Sequence, residues 1–453
     1  MTRFLVLLVF FGSPAWAQPA LRSLPDVALA ARIDAYIRPF VEGNNFTGAI
    51  LVARGDSVLF SKAYGMANAE LKVPNTPHTR FHLASLTKMF TAAAILRLEE
   101  QGRLKTSDTV AKFLPDFPSG DRIRLEHLLT HTAGVPTVGF ADGEDRVHYT
   151  TAQLVARFKD KPLDFEPGSR TSYSNSNYEL LAAIIEKVSG RTYGDVLRMF
   201  FFDPLGMKGT THDGDASALI ENRATGTVPD GARGMRNAPW VDWSSKTGSG
   251  SLVSTTEDLA RFVRAELGGM LLKPDSLAKV QQKRPGFPYG WNQDERFGRT
   301  VMAVGGRSPG FVTAVQYYPG DGTTIVVLTN SYASTAQDPV VDDVAAIVHG
   351  QPTKTGPVAP VKPSPGQFAG VRGRYQMPGN YYAPNSVLTL EQHGDVLEAR
   401  WDNGEVNVLY PVSADECLDR MYWARVHFAR DAAGKVTGFT YHLVQEFAAR
   451  KLD

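Results

Sequence analysis

The chain has 453 residues, of which 43% are apolar and 21% are charged, and this composition excludes collagen-like, coiled-coil and wholly disordered architectures. Lysine and arginine total 48 against 47 acidic residues, so the net charge of +1 lacks the basic excess that nucleic-acid binding requires. The single cysteine, Cys417, excludes an intramolecular disulfide and a thiolate metal site. We therefore expect two or three domains that are stabilised by apolar burial, with Cys417 as an inert thiol.

Residues 1–17 have the pattern of a cleavable signal peptide. Arg3 precedes an unbroken apolar run at 4–11, and Ala15 and Ala17 then form a small-x-small cleavage pattern. The run is too short for a transmembrane helix, which needs about 20 apolar residues. We expect a mature chain that begins at Gln18, secretion or a periplasmic location, and no integral membrane association.

Hydrophobic periodicity predicts mixed strands and helices between the signal peptide and residue 350. The predicted elements are strands at 47–53, 58–64, 300–304, 311–318 and 323–329, and helices at 86–100, 178–189 and 339–349. The triplet Arg54-Gly55-Asp56 joins the first two strands, and we interpret it as a hairpin turn. The helix at 86–100 is apolar over most of its circumference, so it should lie inside the domain.

Residues 351–365 contain five prolines and predict an extended linker. Beyond the linker, residues 366–453 show short alternating runs and turn signals, including Asp402-Asn403-Gly404, which is typical of a two-residue hairpin. We predict a main domain at 18–350 and a small antiparallel barrel at 366–453. The barrel should pack near the active-site cleft and limit substrate size without performing chemistry, because it carries no clustered acid, base and nucleophile.

The tetrad Ser85-Leu86-Thr87-Lys88 at the start of the predicted helix 86–100 is the strongest candidate for catalysis. Residues three apart lie on one helix face, so Ser85 and Lys88 should be close enough to share a proton. A serine hydroxyl needs a base to become nucleophilic, and lysine can act as that base where desolvation favours its neutral form. The helix start also offers backbone N–H groups to an oxyanion. The alternative is that Ser85 caps the helix and Lys88 is solvated.

Tyr173-Ser174-Asn175 lies just before the predicted helix 178–189. A phenol and a carboxamide two residues apart on a loop can point into one cleft, where the tyrosine relays protons and the asparagine orients a substrate amide. The alternative is a structural tyrosine in a turn and an asparagine near a helix start.

Together, Ser85-x-x-Lys88 and Tyr173-x-Asn175 resemble motifs of the serine β-lactamase and penicillin-binding-protein family. The resemblance is strongest to the branch with class C β-lactamases, D-amino-acid peptidases and family VIII carboxylesterases. Segments typical of this branch occur in the expected order at 46–52, 128–134, 203–207, 250–260 and 308–311, and the resemblance covers about residues 28–350. The tail resembles the lipocalin-like domain that some members carry.

The resemblance implies an α+β fold, with an antiparallel sheet flanked by helices, a helical subdomain and the small C-terminal barrel. It implies that Ser85 is the nucleophile, Lys88 its base, Tyr173 a proton relay and Asn175 a substrate-positioning residue, without cofactor or metal. The backbone N–H groups of Ser85 and Arg307 would then receive the oxyanion.

The third motif of the family, Lys-Thr-Gly or His-x-Gly on the strand facing the serine, is altered in this chain. Two Lys-Thr-Gly triplets occur, but 246–248 lies in a predicted turn and 354–356 in the proline-rich linker. The family position instead falls on Val304, Gly305 and Gly306. Valine there argues against efficient β-lactam hydrolysis, because the missing cation helps to hold the substrate carboxylate. Arg307 either compensates for that cation or is a solvated turn residue.

Several other patterns are weaker candidates. Ser308 lies in a Gly-x-Ser-x-Gly pattern, but a nucleophile elbow needs a helix after the serine and a strand is predicted there. The histidine pairs His78/His82 and His127/His131 have metal-ligand spacing without a clustered third ligand, so we predict structural roles.

The sequence as a whole predicts an exported serine hydrolase that acts through an acyl-enzyme on a small-molecule or short-peptide substrate. The scissile bond is an amide, peptide or ester bond. The alternatives are a β-lactamase proper and a non-catalytic binding protein on a penicillin-binding-protein-like scaffold. The oligomeric state stays open.

Overall fold

The computed structural model describes residues 22–23, 26–42, 45–140, 143–284, 288–333, 339–354, 361–363, 366–381, 383–419, 421–442 and 445–452. The predicted signal peptide, residues 1–17, lies outside the described residues, as does part of the proline-rich segment 351–365. None of the described helices combines the length and the apolar character needed to cross a membrane.

Strands and helices are mixed along the first part of the chain. The strands are β1 Arg22–Ser23, β2 Gly48–Arg54, β3 Ser57–Tyr64, β4 Met66–Asn68, β5 Val73–Pro74, β6 Phe81–His82, β7 Thr211–His212, β8 Thr227–Pro229, β9 Met235–Asn237, β10 Leu252–Ser254, β11 Asn292–Arg296, β12 Arg299–Ser308, β13 Phe311–Tyr318 and β14 Thr323–Thr329. The α-helices are α1 Val27–Glu42, α2 Thr87–Glu100, α3 Leu125–Leu129, α4 Thr151–Ala156, α5 Asn175–Ser189, α6 Tyr193–Leu197, α7 Thr256–Leu267, α8 Pro274–Gln281 and α9 Val341–Val348.

Among the described residues, the central sheet has seven strands in the order β1-β3-β2-β14-β13-β12-β11. Apart from the short parallel pair β1 and β3, its neighbours are antiparallel. β13 and β14 are buried along their whole length, because helices cover both faces of the sheet. One face packs against α1 and α9, and the other packs against the core that contains α2 and α7. The predicted α+β fold is confirmed.

Most predicted elements of this part agree with the structure, and the differences lie at their ends. The predicted strand at 300–304 is too short, because β12 continues to Ser308. The predicted helix at 178–189 begins three residues earlier, so Asn175 is the first helical residue and does not lie on the preceding loop. The end of strand β12 was not predicted because it contains Gly305 and Gly306, and glycine is depleted in strands.

Helix α2 is buried almost all round, as its composition predicts. Eleven of its side chains are buried, from Thr87 to Leu98. The ring of Phe90 stacks on that of Phe262 in α7 with centroids 3.8 Å apart. α2 is therefore a central helix that holds its first turn in a fixed position.

The C-terminal part is a closed antiparallel barrel of eight described strands. They are β15 Gly373–Gln376, β16 Val387–His393, β17 Val396–Trp401, β18 Val406–Ser413, β19 Glu416–Asp419, β20 Ala424–Arg430, β21 Val436–His442 and β22 Glu446–Lys451. The Asn403-Gly404 turn joins β17 to β18, as predicted. Cys417 is buried in the barrel core, where burial raises its pKa to about 12.

The barrel contacts the first domain at defined points. Trp423 packs on Phe40 of α1 with ring centroids 4.6 Å apart. On β17, Glu398 Oε2 accepts a hydrogen bond of 2.9 Å from the backbone N–H of Ala232, close to β8. The barrel is therefore seated against the domain that carries Ser85. Its role in limiting substrate size stays a prediction.

Replacing Phe90 with alanine should destabilise the protein by about 3–5 kcal/mol, because the change leaves a cavity in a core that cannot fully collapse. Urea denaturation measures this loss. The matched control is Leu71→Ala, whose side chain is 74% exposed, and it should change the free energy of unfolding by less than about 0.5 kcal/mol. Equal effects of the two substitutions would contradict the central position of α2.

Candidate active site

Ser85 lies in a short 3-10 turn, Ala84–Leu86, that leads directly into α2. The preceding Ala84 has φ +49°, a left-handed conformation that costs a non-glycine residue on the order of 1 kcal/mol or more. Leu83 is fixed on both sides, since its N–H donates to Leu252 O at 2.8 Å and its carbonyl accepts from Thr313 Oγ1 at 2.9 Å. These bonds hold the strained turn and present Ser85 at its tip.

The structure brings together the four side chains of the first two motifs. Ser85 Oγ lies 3.1 Å from Lys88 Nζ and 2.8 Å from the phenol oxygen of Tyr173. Lys88 Nζ also donates to Asn175 Oδ1 at 2.9 Å. The serine oxygen therefore has a potential proton acceptor on one side and a phenol on the other.

Lys88 is only 3% exposed, and its side-chain nitrogen lies within hydrogen-bond distance of three oxygen atoms. Besides Ser85 and Asn175, the carbonyl of Ser249 accepts a hydrogen bond from Nζ at 2.8 Å. Among the described residues, no carboxylate forms an ion pair with it. The alternative that Lys88 is a solvated first-turn residue is therefore wrong, because the side chain is directed into the protein towards Ser85.

His131 supports Tyr173 from behind. Its ring centroid lies 4.5 Å from that of Tyr173, and its Nδ1 accepts a hydrogen bond of 3.1 Å from the backbone N–H of Ser174. Burial, assisted by the nearby Lys88 cation, lowers the pKa of His131 to about 3, so its imidazole is neutral. Sequence reasoning assigned His131 a structural role, and the structure places it directly against the proposed proton relay.

Strand β12 forms the wall opposite Ser85. Val304 packs against the core that contains α2. At Gly306, an added Cβ would lie 2.5 Å from Leu83 O and 2.9 Å from Ser85 N, so only glycine allows the strand to approach the serine turn this closely. The strand bearing Val304, Gly305 and Gly306 therefore faces Ser85, as the resemblance predicts.

The outer edge of β12 is open beside Ser85. β11 pairs with β12 only as far as Ala303, so residues 304–308 have no strand neighbour on that side among the described residues. A cavity of about 720 Å³ follows this edge and is lined by Ser85, Tyr173 and Arg307 as well as by Val304 and Gly305. An extended substrate could therefore lie along β12 within reach of the serine.

The triplet at 246–248 lies outside the sheet, as predicted, but it is close to the site. It begins at the last residue of the 3-10 helix Trp243–Lys246 and passes behind α2, where Gly248 O accepts a hydrogen bond from Thr91 Oγ1 at 2.7 Å. The next residue, Ser249, supplies the carbonyl that binds Lys88. Sequence reasoning missed this supporting role, since the resemblance gives it no part in the site.

The remaining weaker candidates have structural surroundings. Ser308 ends β12 and is followed by the tight turn into β13, so no helix follows the serine and it is no nucleophile elbow. His82 is buried and lies 3.5 Å from Asp213, whereas His78 is exposed. Within the described ranges, no group of three or more His, Cys, Asp and Glu side chains is arranged to hold a metal ion.

A buried carboxyl group, which the sequence did not indicate, lies behind Lys88. Glu179 on α5 is 6% exposed and accepts a hydrogen bond of 3.3 Å from Ser249 Oγ. Burial raises the pKa of Glu179 to about 7, against the opposing effect of the Lys88 and Lys246 cations. Ser249 thus links the two groups, since its carbonyl binds Lys88 and its hydroxyl binds Glu179.

Comparisons with known proteins agree with this geometry. The family model described as Beta-lactamase matches residues 33–349. Penicillin-binding protein 4* of Bacillus subtilis is 31% identical over 344 residues, which cover 69% of this chain and 74% of that protein.

Two solved structures extend the comparison. The octameric penicillin-binding protein homologue from Pyrococcus abyssi has a TM-score of 0.64 at 23% identity and covers 93% of this chain and 99% of its own, so it shares the fold. A D-stereospecific amidohydrolase from Streptomyces sp. has a TM-score of 0.61 at 26% identity and covers 72% of this chain and 100% of its own.

The raised pKa of Glu179 predicts a specific pH dependence of stability. The unfolded chain releases this proton near pH 4.5, whereas the folded protein holds it until about pH 7. The contribution of Glu179 to the free energy of unfolding should therefore fall by about 3 kcal/mol as the pH rises through this window. Glu179→Gln should remove this fall. Urea denaturation at pH 4.5 and pH 8 measures the difference.

The exposed Glu221 offers a control, because Glu221→Gln should keep the pH dependence of the unmodified protein. An unchanged pH dependence in Glu179→Gln would show that Glu179 is ionised in the folded state across the whole range.

Proposed function

The chain belongs to the beta-lactamase family, and we propose that it is an exported serine hydrolase that cleaves an amide, peptide or ester bond through an acyl-enzyme on Ser85. The observation that carries the proposal is the position of Ser85 Oγ, within hydrogen-bond distance of both Lys88 Nζ and the Tyr173 phenol. A nucleophile, a base and a proton relay in mutual contact are the groups that acyl transfer needs.

In the proposed acylation, neutral Lys88 takes the proton of Ser85 as Oγ bonds to the substrate carbonyl carbon. The carbonyl oxygen becomes an oxyanion, which the backbone N–H groups of Ser85 and Arg307 receive. Tyr173 passes a proton to the leaving nitrogen or oxygen as its bond to the carbon breaks. Water then attacks the acyl-enzyme carbonyl carbon and gives one proton to Lys88. The bond from this carbon to Ser85 Oγ breaks, the carboxylic acid leaves, and Lys88 returns the proton to Ser85.

Asn175 has two functions in this proposal. Its Oδ1 accepts from Lys88, which fixes the base relative to Ser85. Its amide group is positioned at the start of α5, where the backbone N–H also donates to Thr137 Oγ1 at 3.1 Å. We propose that the side-chain NH₂ group orients the carbonyl of the acyl portion of the substrate.

For the substrate, we favour an amide, short peptide or ester over a β-lactam. Val304 occupies the position where family members carry a cation, and it packs in the core. The similarity to the D-stereospecific amidohydrolase from Streptomyces supports an amide substrate with a D-residue. We also propose export, because residues 1–17 carry the n-region, apolar run and small-residue cleavage pattern of a signal peptide.

Ser85→Ala should abolish turnover and labelling by a fluorophosphonate, because it removes the oxygen on which the proposed covalent intermediate forms. Lys88→Met should lower kcat/KM by about 10²–10⁴-fold, which is the usual contribution of a positioned general base. The assay compares p-nitrophenyl esters, D-amino-acid p-nitroanilides and nitrocefin. Lys112 is an exposed surface lysine, and the control variant Lys112→Met should keep the kcat/KM of the unmodified protein.

The outcomes separate the proposal from its alternatives. Turnover that persists in Ser85→Ala would overturn the assignment of the nucleophile. Faster turnover of nitrocefin than of every amide and ester would favour a β-lactamase. A protein that binds these compounds but is labelled by no serine-reactive probe would be a binding protein.

A further inference from the structure

One face of β12 meets Ser85, and the side chain of Arg307 projects from the other face. Successive strand residues point to opposite faces, and the Cα of Gly306 is turned towards the serine turn. The side chain of Arg307 therefore lies on the outer face, where Nη1 donates to Tyr332 O at 3.1 Å. Since the cavity passes over the open edge of β12, it includes both Ser85 and Arg307.

Two tyrosines from different domains hold the Arg307 guanidinium. Its central carbon lies 4.9 Å from the ring centroid of Tyr332 and 5.7 Å from that of Tyr422, within the range of cation–π attraction. Tyr332 follows β14 in the first domain, whereas Tyr422 belongs to the barrel. The barrel therefore contacts, through Tyr422, an arginine that lines the active-site cavity.

The barrel fixes Tyr422 through its own polar contacts. The phenol of Tyr422 donates to Glu405 Oε1 at 2.8 Å, beside the β17–β18 turn. The neighbouring Met421 N–H donates to Asp419 Oδ1 at 2.7 Å. Asp419 is itself buried and accepts from Tyr441 and Asn407 at 2.7 and 2.8 Å. This network connects Tyr422 to the interior of the barrel.

The two arginines that line the cavity, Arg296 and Arg307, differ in their ion pairs. Arg296 forms ion pairs with Asp294 and Asp342. Within the part of the chain that the structure describes, Arg307 makes no ion pair. Two tyrosine rings and one carbonyl contact its guanidinium without neutralising the charge, so an anion that enters the cavity would meet a positioned, uncompensated positive charge.

We propose that the barrel takes part in substrate selection: Tyr422 and Tyr332 position Arg307 so that it binds an anionic group of a substrate lying along the edge of β12. The substrate class is an amide or peptide with a carboxylate near the scissile bond. In an extended substrate, successive side groups point to opposite faces. If one group faces Ser85, the next group therefore points to the outer face of β12, where Arg307 lies. This inference rests on the proposed hydrolase function, and it makes Tyr422 a positioning residue.

The test uses matched dipeptide amides and esters that differ only in a carboxylate or a carboxamide, placed on either side of the scissile bond. The full-length protein should prefer the carboxylate at one position by about tenfold in kcat/KM, as a charge-assisted hydrogen bond provides. High salt should reduce this ratio. Arg307→Gln should abolish the preference, and Arg307→Lys should retain only part of it.

Tyr422 variants test the role of the barrel. Tyr422→Leu should lower the carboxylate-to-carboxamide ratio about threefold or more, because it removes one cation–π contact. The matched control Tyr422→Phe loses the hydrogen bond to Glu405 but keeps the ring beside Arg307, and it should keep the ratio within about twofold. The double variant Arg307→Gln/Tyr422→Leu should show no further loss, since Tyr422 acts through Arg307. Tyr332→Leu tests the same positioning from the first domain.

Labelling of Ser85 by a fluorophosphonate confirms that each variant retains a folded site. The inference is overturned if the unmodified protein shows no preference at either position, or if Tyr422→Leu and Tyr332→Leu keep the full ratio. Failure of the proposed function is a separate result, because it appears as turnover that survives in Ser85→Ala.

Discussion

The site depends on one buried lysine side chain. Lys88 Nζ lies within hydrogen-bond distance of Ser85 Oγ, Asn175 Oδ1 and Ser249 O, and these three acceptors come from the 3-10 turn Ala84–Leu86, from α5 and from the segment after Trp243–Lys246. Burying a charged or strongly polar group is costly unless its hydrogen bonds are satisfied, so this position constrains all three elements at once. The buried helix α2 and the bonds that hold Leu83 and Ala84 provide the rigid support for it.

The same constraint explains why β12 contains a glycine at position 306. Gly306 has no room for a side chain beside Leu83 O and Ser85 N, and the strand must approach this closely to form the second wall of the site. The open edge beyond Ala303 then leaves a path along which a substrate can lie. Arg307, on the other face of that edge, connects the path to the barrel through Tyr422. The two domains thereby meet where substrate selection is proposed to occur.

The sequence predicted the fold class, most element positions and the meeting of Ser85, Lys88, Tyr173 and Asn175, because short-range spacing and a family resemblance carry that information. It did not predict the contributions of Ser249, Glu179 and Tyr422. Ser249 and Glu179 act through a backbone carbonyl and a buried carboxyl group, and neither leaves a motif. Tyr422 lies more than a hundred residues from Arg307, so their contact depends on domain packing that periodicity does not encode.

Intact mass spectrometry of the full-length protein mixed with a slowly deacylating ester tests most directly whether Lys88 activates Ser85. We expect a mass increase equal to one acyl group, which maps to the peptide that contains Ser85. This increase should be absent in folded Lys88→Met on the same timescale. Acylation at another residue, or equally fast acylation of Ser85 without Lys88, would contradict the claim that Lys88 activates this serine.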